Sequence, residues 1–307
     1  MSFAPTLICK GYTAEGWLAV AGGPSRRVLL DEYSCAFERR IMAADGMMAF
    51  ANSVNSIRRH GGAWLADVPK MNASVAFDTT APLLMALAAM LRGARNSSIG
   101  LTIYDRAADV EWVFQTCYMT DIGFGGDENA VVKPSLGLYI PTNTFNYEWG
   151  KRTLIRTGMT GLGAGVGNER FVDMVPYWMW QIDIDNVRRN DISHFEFKFE
   201  QTITPKFECT GDANASQAKY LLFGLPTLSF SATEIHAAQG AWNLFPTGTQ
   251  MRDSAALASH TIVLGTTDTG QLLKMTGAYE TRLSPDLVAF GEYPTLTRSW
   301  NIAGQIQ

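Results

Sequence analysis

The sequence predicts a mainly β fold with two β-sandwich or split-barrel domains, each with a short flanking α-helix. Three observations support this prediction. Residues with high strand propensity occur in short alternating runs along the whole chain, one segment has the features of a helix, and similar runs recur in both halves. The length of 307 residues also fits two domains of roughly 150 residues each.

The composition is typical of a globular protein with a weakly charged surface. Hydrophobic residues make up 47% and charged residues 18%, compared with about 25% charged in an average domain. The net charge of -4 gives no general basic footprint for nucleic acid. We find neither a secretory signal nor an apolar run of bilayer length, so we expect no membrane-spanning segment. The cysteines are isolated, which argues against a disulfide scaffold or a zinc site. They are Cys9, Cys35, Cys117 and Cys209.

The first half contains the clearest helix signal. Residues 79–93 combine a threonine cap, Pro82 in the first turn, an alanine-rich interior and a terminal Gly93, which together predict one helix. Around this helix, alternating and β-branched residues predict five strands. These strands cover residues 28–40, 71–78, 99–104, 110–118 and 131–140.

The second half is also rich in strand patterns. Phe195, Phe197 and Phe199 alternate with charged residues, so one face of this strand should be buried and the other solvated. A short helix is plausible over residues 235–242. The predicted strands are 177–185, 193–204, 226–232, 261–265, 271–280 and 295–302.

The two halves show a sparse similarity that suggests a degenerate duplication. Phe77 and Phe230 lie about half the chain apart, and residues 113–126 resemble residues 273–286. We therefore predict domains at 1–155 and 156–307, with the boundary near the glycine-rich stretch that follows residue 158.

No motif predicts catalysis, a cofactor or a metal. The Gly161-x-Gly-x-Gly-x-Gly run lacks the strand before it and the long helix after it that dinucleotide binding requires. The four histidines are isolated from one another, and there is no Gly-x-Ser-x-Gly nucleophile motif. We therefore do not expect an enzyme. Asp183 and Asp185 could be paired carboxylates on one strand face, although solvated acids opposite a buried Ile182 and Ile184 are the stronger interpretation.

An aromatic cluster lies at the start of the second half. In a strand, Trp178 and Trp180 would share one face, where they could stack on a sugar or a base. Such strands more often pack in a core or a subunit interface, so we predict intersubunit contact for both tryptophans.

This combination of features suggests an assembly protein. Strand-rich halves, a helix inserted between sandwich strands, long loops, low charge and no catalytic motif make the chain resemble the tail tube family of tailed bacteriophages. In the first half the resemblance rests on residues 28–40, 71–92 and 110–140. In the second half it rests more weakly on residues 193–242 and 271–302.

The resemblance implies a structural virion protein that forms stacked rings. Family members commonly form rings of six tube domains, so a chain with two such domains could close a ring as a trimer or as a hexamer with an outer second domain. Its partners would be its own copies and other tail proteins, with DNA only as passing cargo. Its location would be the virion tail, assembled in the host cytoplasm.

The resemblance also implies site residues. The long loop 42–62 would reach the next ring, sheet edges would be sealed by neighbours, and a mildly acidic lumen would repel DNA. Lumen candidates, chosen by strand or turn context, are Asp121, Asp127, Glu128, Asp183 and Asp185. Contact candidates between rings or subunits are Asp45, Asn52, Asn55, Arg58, Arg59, Trp178 and Trp180.

Two alternatives remain open. The protein could be a carbohydrate-binding or hydrolytic β-sandwich that acts through Asp183, Asp185, Trp178 and Trp180. It could also be another virion component, such as a baseplate hub, collar or capsid protein.

Overall fold

The fold, taken from a computed structural model, is mainly β with large antiparallel sheets, as predicted. The structure describes residues 14–20, 25–38, 70–78, 81–105, 110–128, 130–141, 145–149, 175–206, 220–235, 259–286 and 294–307. The first-half elements are β1 (Ala14–Val20), β2 (Ser25–Glu38), β3 (Lys70–Asp78), α1 (Ala81–Ala89), β4 (Ile99–Asp105), β5 (Val110–Asp127), β6 (Lys133–Ile140) and β7 (Phe145–Trp149). The second-half strands are β8 (Trp180–Ile184), β9 (Val187–Arg189), β10 (Ile192–Glu200), β11 (Ile203–Lys206), β12 (Tyr220–Phe223), β13 (Thr227–Ile235), β14 (Ser259–Thr266), β15 (Gly270–Asp286) and β16 (Thr295–Ile302).

The predicted first-half helix is present as α1, which continues into a π-helical turn over Met90–Ala94. Its apolar residues Leu83, Leu84 and Leu87 are buried, and α1 contacts β15 of the second half. The helix predicted at 235–242 lies almost wholly outside the described residues, and Ile235 itself ends β13.

The first unit, defined as β1–β6, is a split barrel. Its antiparallel pairings form a closed circuit in the order β1–β2–β3–β6–β5–β4–β1. The long strands β2 and β5 each belong to two sheets. The beginning of β2 pairs with β1 and the rest with β3, while the beginning of β5 pairs with β4 and the rest with β6.

The second unit, defined as β8–β10 and β13–β16, repeats this circuit. β8 pairs with β9 and β14, and the path continues through β15, β16 and β13 to β10. β9 and β10 together take the place of β2, with Asn190 and Asp191 between them. β15 takes the place of β5.

The repeat extends to the registers of the strand pairs. The pair Ile99–Cys117 of the first unit corresponds to the pair His260–Ala278 of the second. In the same way, Leu101–Phe114 corresponds to Ile262–Met275. Three register shifts of the first unit have counterparts in the second. The shifts at Asp31, Gly100 and Thr120 correspond to those at Ser193, Thr261 and Thr281. Because a β-bulge locally bends and twists its strand, both units bend at the same places.

The sequence comparison selected the right strands but the wrong alignment. Ala73 pairs with Leu138 and Phe230 with Trp300, so the registers equate Phe230 with Ala73 rather than with Phe77. Sparse identity could not fix the register, because only the cross-strand partners define it.

A single sheet joins the two units. β5 pairs with β10, which creates an eight-stranded long sheet in the order β2–β3–β6–β5–β10–β13–β16–β15. Its buried face carries a row of aromatic residues in which Phe124 stacks on Phe197 at 5.8 Å and Phe230 lies 5.6 Å from Trp300. The buried side chains of both units belong to one hydrophobic cluster. The boundary predicted near residue 155 lies outside the described residues and stays a prediction.

Candidate functional site: the solvated face and open edges of the long sheet

The solvated face of the long sheet carries mostly short polar residues. Alternate residues of a strand point to opposite faces, and β10 follows this rule because Phe195, Phe197 and Phe199 are fully buried whereas Glu196 and Lys198 are exposed. The exposed or half-buried short residues of this face are Ser34, Ser74, Gly123, Gly125, Ser135, Thr227, Ser229, Ser231, Thr297 and Ser299. Such a surface has few protruding side chains.

The charged residues of this face are mostly acidic, and several of them lie on the central strands β5 and β10. Glu200 is paired with Asp121 across β10 and β5, and Lys198 forms an ion pair of 2.9 Å with Glu200. The hydrogen bond to Glu200 raises the pKa of Lys198. Asp121 also lies over Gly137, where any side chain would overlap its carboxylate.

Asp127 and Glu128 lie at the end of β5. Asp127 contacts His194 Nδ1 at 2.7 Å, and the Glu128 N–H donates to the Ser193 carbonyl. Burial and the charges of these two acids raise the pKa of Tyr177 to about 12, so its hydroxyl stays protonated and donates to the Ile192 carbonyl at 2.5 Å. Of the predicted lumen residues, Asp121, Asp127 and Glu128 therefore lie on or beside one solvated surface.

Asp183 and Asp185 lie elsewhere and do not form a carboxylate pair. Asp183 is on β8, which is not one of the eight strands of the long sheet, and it forms an ion pair with Arg188. Asp185 has a φ of 53° and Asn186 a φ of 64°, so both belong to the β8–β9 turn rather than to a strand. The prediction that both acids share a strand face is wrong, whereas the burial of Ile182 and Ile184 is confirmed.

Asp185 anchors the β8–β9 turn to β14. Its carboxylate contacts His260 Nδ1 at 2.7 Å and accepts the Thr261 N–H at 2.9 Å. Burial alone would raise the pKa of Asp185, but these hydrogen bonds and the charge of His260 lower it. Asp185 therefore has a structural role, because it holds the β8–β9 turn against β14.

The two tryptophans do not share a face. Tyr177–Met179 form a 3-10 turn, and the strand begins only at Trp180. Trp180 packs on Phe195 with ring centroids 5.1 Å apart, whereas Trp178 is 73% exposed. Because Pro176 precedes a helical turn rather than a strand, the period-two prediction for this segment is wrong. Trp178 alone remains available for an intersubunit contact.

A buried ion network in the second unit escaped the sequence analysis. Glu234 is fully buried and lies 3.3 Å from Arg189 and 3.6 Å from Arg298. Arg298 also binds Glu280 at 2.8 Å and lies 4.9 Å from the ring centre of Trp300. Burial lowers the pKa of Arg298, but the two glutamates outweigh it and raise this pKa overall. Strand alternation could have revealed the buried glutamate. Glu234 is separated from Leu228, Phe230 and Ala232 by even numbers of residues, so in a strand its side chain points to the same buried face.

The long sheet ends in two open edges within the described part of the chain. Residues 32–38 of β2 pair with β3 on one side, and no described strand pairs with their other side. Residues 282–286 of β15 likewise pair with β16 only. An unpaired strand edge presents free backbone donors and acceptors to another chain.

The other predicted contact residues lie outside the described residues. They are Asp45, Asn52, Asn55, Arg58 and Arg59. In the described ranges, no group of three or more His, Cys, Asp or Glu residues could hold a metal ion. None of the described helices is long and apolar enough to cross a membrane.

No protein-family model matches the chain, and no curated protein matches it in sequence.

Proposed function

We propose that this protein is a structural, ring-forming virion component whose stacked rings form the tail tube of a tailed bacteriophage. The observation that carries the proposal is the eight-stranded long sheet, which has one solvated face rich in short polar residues and, among the described strands, an unpaired edge at each end. A sheet of this kind is suited to form part of a channel wall, because neighbouring copies can extend it while the short residues face the channel.

The repeat supports a particular ring. Both units have the same strand order and share three register shifts, and the second unit has one more in the β14–β15 pair, between Leu264 and Gly265. Family members commonly form rings of six tube domains, so three copies of a two-unit chain would supply six units. We therefore favour a trimeric ring over a hexameric one.

The charge of the solvated face supports DNA passage without binding. On the described part of this face, acids outnumber bases. The acids are Glu32, Asp121, Asp127, Glu196 and Glu200, and the bases are Lys133, Lys198 and Arg282. Like charge repels the phosphate backbone, and few basic residues leave little site for phosphate contacts.

Electron microscopy combined with light-scattering mass tests this proposal directly. Purified full-length protein should give rings or tubes with a channel a few nanometres wide, and the mass of a ring should be three times 33.7 kDa. A species that stays at 33.7 kDa at high concentration would refute the proposal. Closed shells would favour a capsid protein, and single rings that never stack would favour a collar or hub.

A further inference from the structure

The chain contains its own example of how two units join. β5 of the first unit pairs with β10 of the second, with Phe124 opposite Phe197 and Gly125 opposite Glu196. Two backbone hydrogen bonds flank this junction: Gln201 N–H donates to Thr120 O, and Glu128 N–H to Ser193 O. The junction therefore pairs β5, which has a register shift at Thr120, with β10, which has one at Ser193.

The open edges are the repeat counterparts of this junction. The matched registers equate residues 194–200 of β10 with residues 32–38 of β2. They also equate residues 121–125 of β5 with residues 282–286 of β15. β5 and β10 are joined inside the chain. Their repeat counterparts, β15 and β2, have no described partner strand on the corresponding edges.

We propose that β15 of one copy pairs with β2 of a second copy, antiparallel and in the register of the internal β5–β10 junction. This proposal rests on the proposed ring function and specifies the contact that closes the ring. Transfer of the internal register places Ser34 opposite Asp286 and Glu38 opposite Arg282. No strand in the described part of the chain pairs with any of these positions across this edge.

Charge favours this combination of edges over a β2–β2 contact. Opposite charges directly across two strands contribute about 0.2–1 kcal/mol, and like charges destabilise the pair. In the transferred register, Glu38 of β2 and Arg282 of β15 are opposite positions. A β2–β2 contact would bring together two edges that each carry glutamates at positions 32 and 38. The proposed pairing avoids that repulsion.

Backbone geometry also identifies a suitable site for a covalent test. Gln201 N–H donates to β5, so the alternating pattern also directs the backbone N–H and C=O groups of Phe199, Phe197 and Phe195 toward β5. Glu196–Gly125 is therefore a non-hydrogen-bonded pair. Such pairs have Cα atoms about 4.5 Å apart, within the ~4.4–6.8 Å range of disulfides. The equivalent pair between copies is Ser34–Asp286.

Disulfide cross-linking tests both the contact and its register. The variant Ser34→Cys/Asp286→Cys should oxidise within assembled full-length protein into disulfide-linked multimers, resolved on a non-reducing denaturing gel. The matched control Ser34→Cys/Ser284→Cys moves one cysteine by two positions, to roughly 7 Å, and should give at least tenfold less cross-link. Each single variant controls for the native cysteines.

The outcomes separate this inference from the proposed function. Cross-links through position 284 rather than 286 would overturn the register. Rings without cross-links in either double variant would overturn the β2–β15 contact and leave the ring function standing. If wild-type protein forms only monomers under the same conditions, the contact and the proposed function both fail.

Discussion

Loss of one carboxylate should reveal what the buried ion network contributes to stability. Glu234→Gln keeps the shape of the side chain but leaves Arg189 and Arg298 without this negative charge. Removal of one partner from a buried pair costs about 3–5 kcal/mol. Arg298 keeps Glu280 at 2.8 Å, so we expect the lower end, about 3 kcal/mol.

Thermal and urea unfolding of purified protein measure this loss. With an unfolding entropy of about 2.1 cal/mol/K per residue, a destabilisation of about 3 kcal/mol lowers the Tm of this 307-residue chain by roughly 5 °C. Glu200→Gln is the matched control, because its pair with Lys198 has a similar distance of 2.9 Å but about half-exposed side chains. Exposed pairs contribute about 0–1 kcal/mol, so this control should change the Tm by less than about 2 °C.

The repeat supplies a second test of the same reasoning. The first unit has apolar residues where the network lies: Val28, Phe77, Met119 and Leu136 correspond to Arg189, Glu234, Glu280 and Arg298. Apolar replacement of a whole buried ion cluster is often neutral or stabilising by about 1–4 kcal/mol. The fourfold variant R189V/E234F/E280M/R298L should therefore be more stable than Glu234→Gln. A fourfold variant less stable than the single variant would refute this reasoning.

Three other substitutions test individual local interactions. Trp180→Ala should lose about 3 kcal/mol because this half-buried ring packs against Phe195 of the core, whereas Trp178→Ala should leave the free energy of unfolding in urea within about 0.5 kcal/mol of wild type. Asp185→Asn should flatten the fall in stability at acid pH: its lowered folded-state pKa stabilises the fold above the unfolded pKa near 4, and this contribution is lost as pH falls through the folded value. A wild-type acid limb in that variant would contradict this. Gly277→Ala should destabilise by at least about 1 kcal/mol because φ is +65° and the new Cβ would lie 3.0 Å from a backbone nitrogen, whereas Gly93→Ala meets no atom within 4 Å and should be neutral or stabilising.

Local pattern predicted the elements whose periodicity is uninterrupted. β10 alternates phenylalanine with charge, and α1 has a proline near its start and a glycine after its end, so both were predictable. β5 was predicted to end at Tyr118 but continues to Asp127. Its second part contains Gly123, Gly125 and Gly126, which have low strand propensity, and only pairing with β6 and β10 keeps this part extended.

The candidate site was less accessible from sequence because it depends on partners distant along the chain. Glu234 pairs with Arg189 and Arg298, which are 45 and 64 residues away. The φ of Asp185 is positive because a two-residue turn requires it, and this moves the acid off the strand face on which it was placed. The open edges follow only from the complete strand order, which no local pattern contains.

The β5–β10 junction has a consequence for how a ring would nucleate. Every association of separate molecules loses translational and rotational freedom, at an estimated cost of about 4–15 kcal/mol. In this chain one of every two unit junctions forms within a single molecule during folding, where the linked segments have a high effective concentration. A six-unit ring then needs two associations between molecules before it closes, instead of five. Duplication within one chain would thus lower the protein concentration at which ring closure becomes favourable, without any change in the contacts themselves.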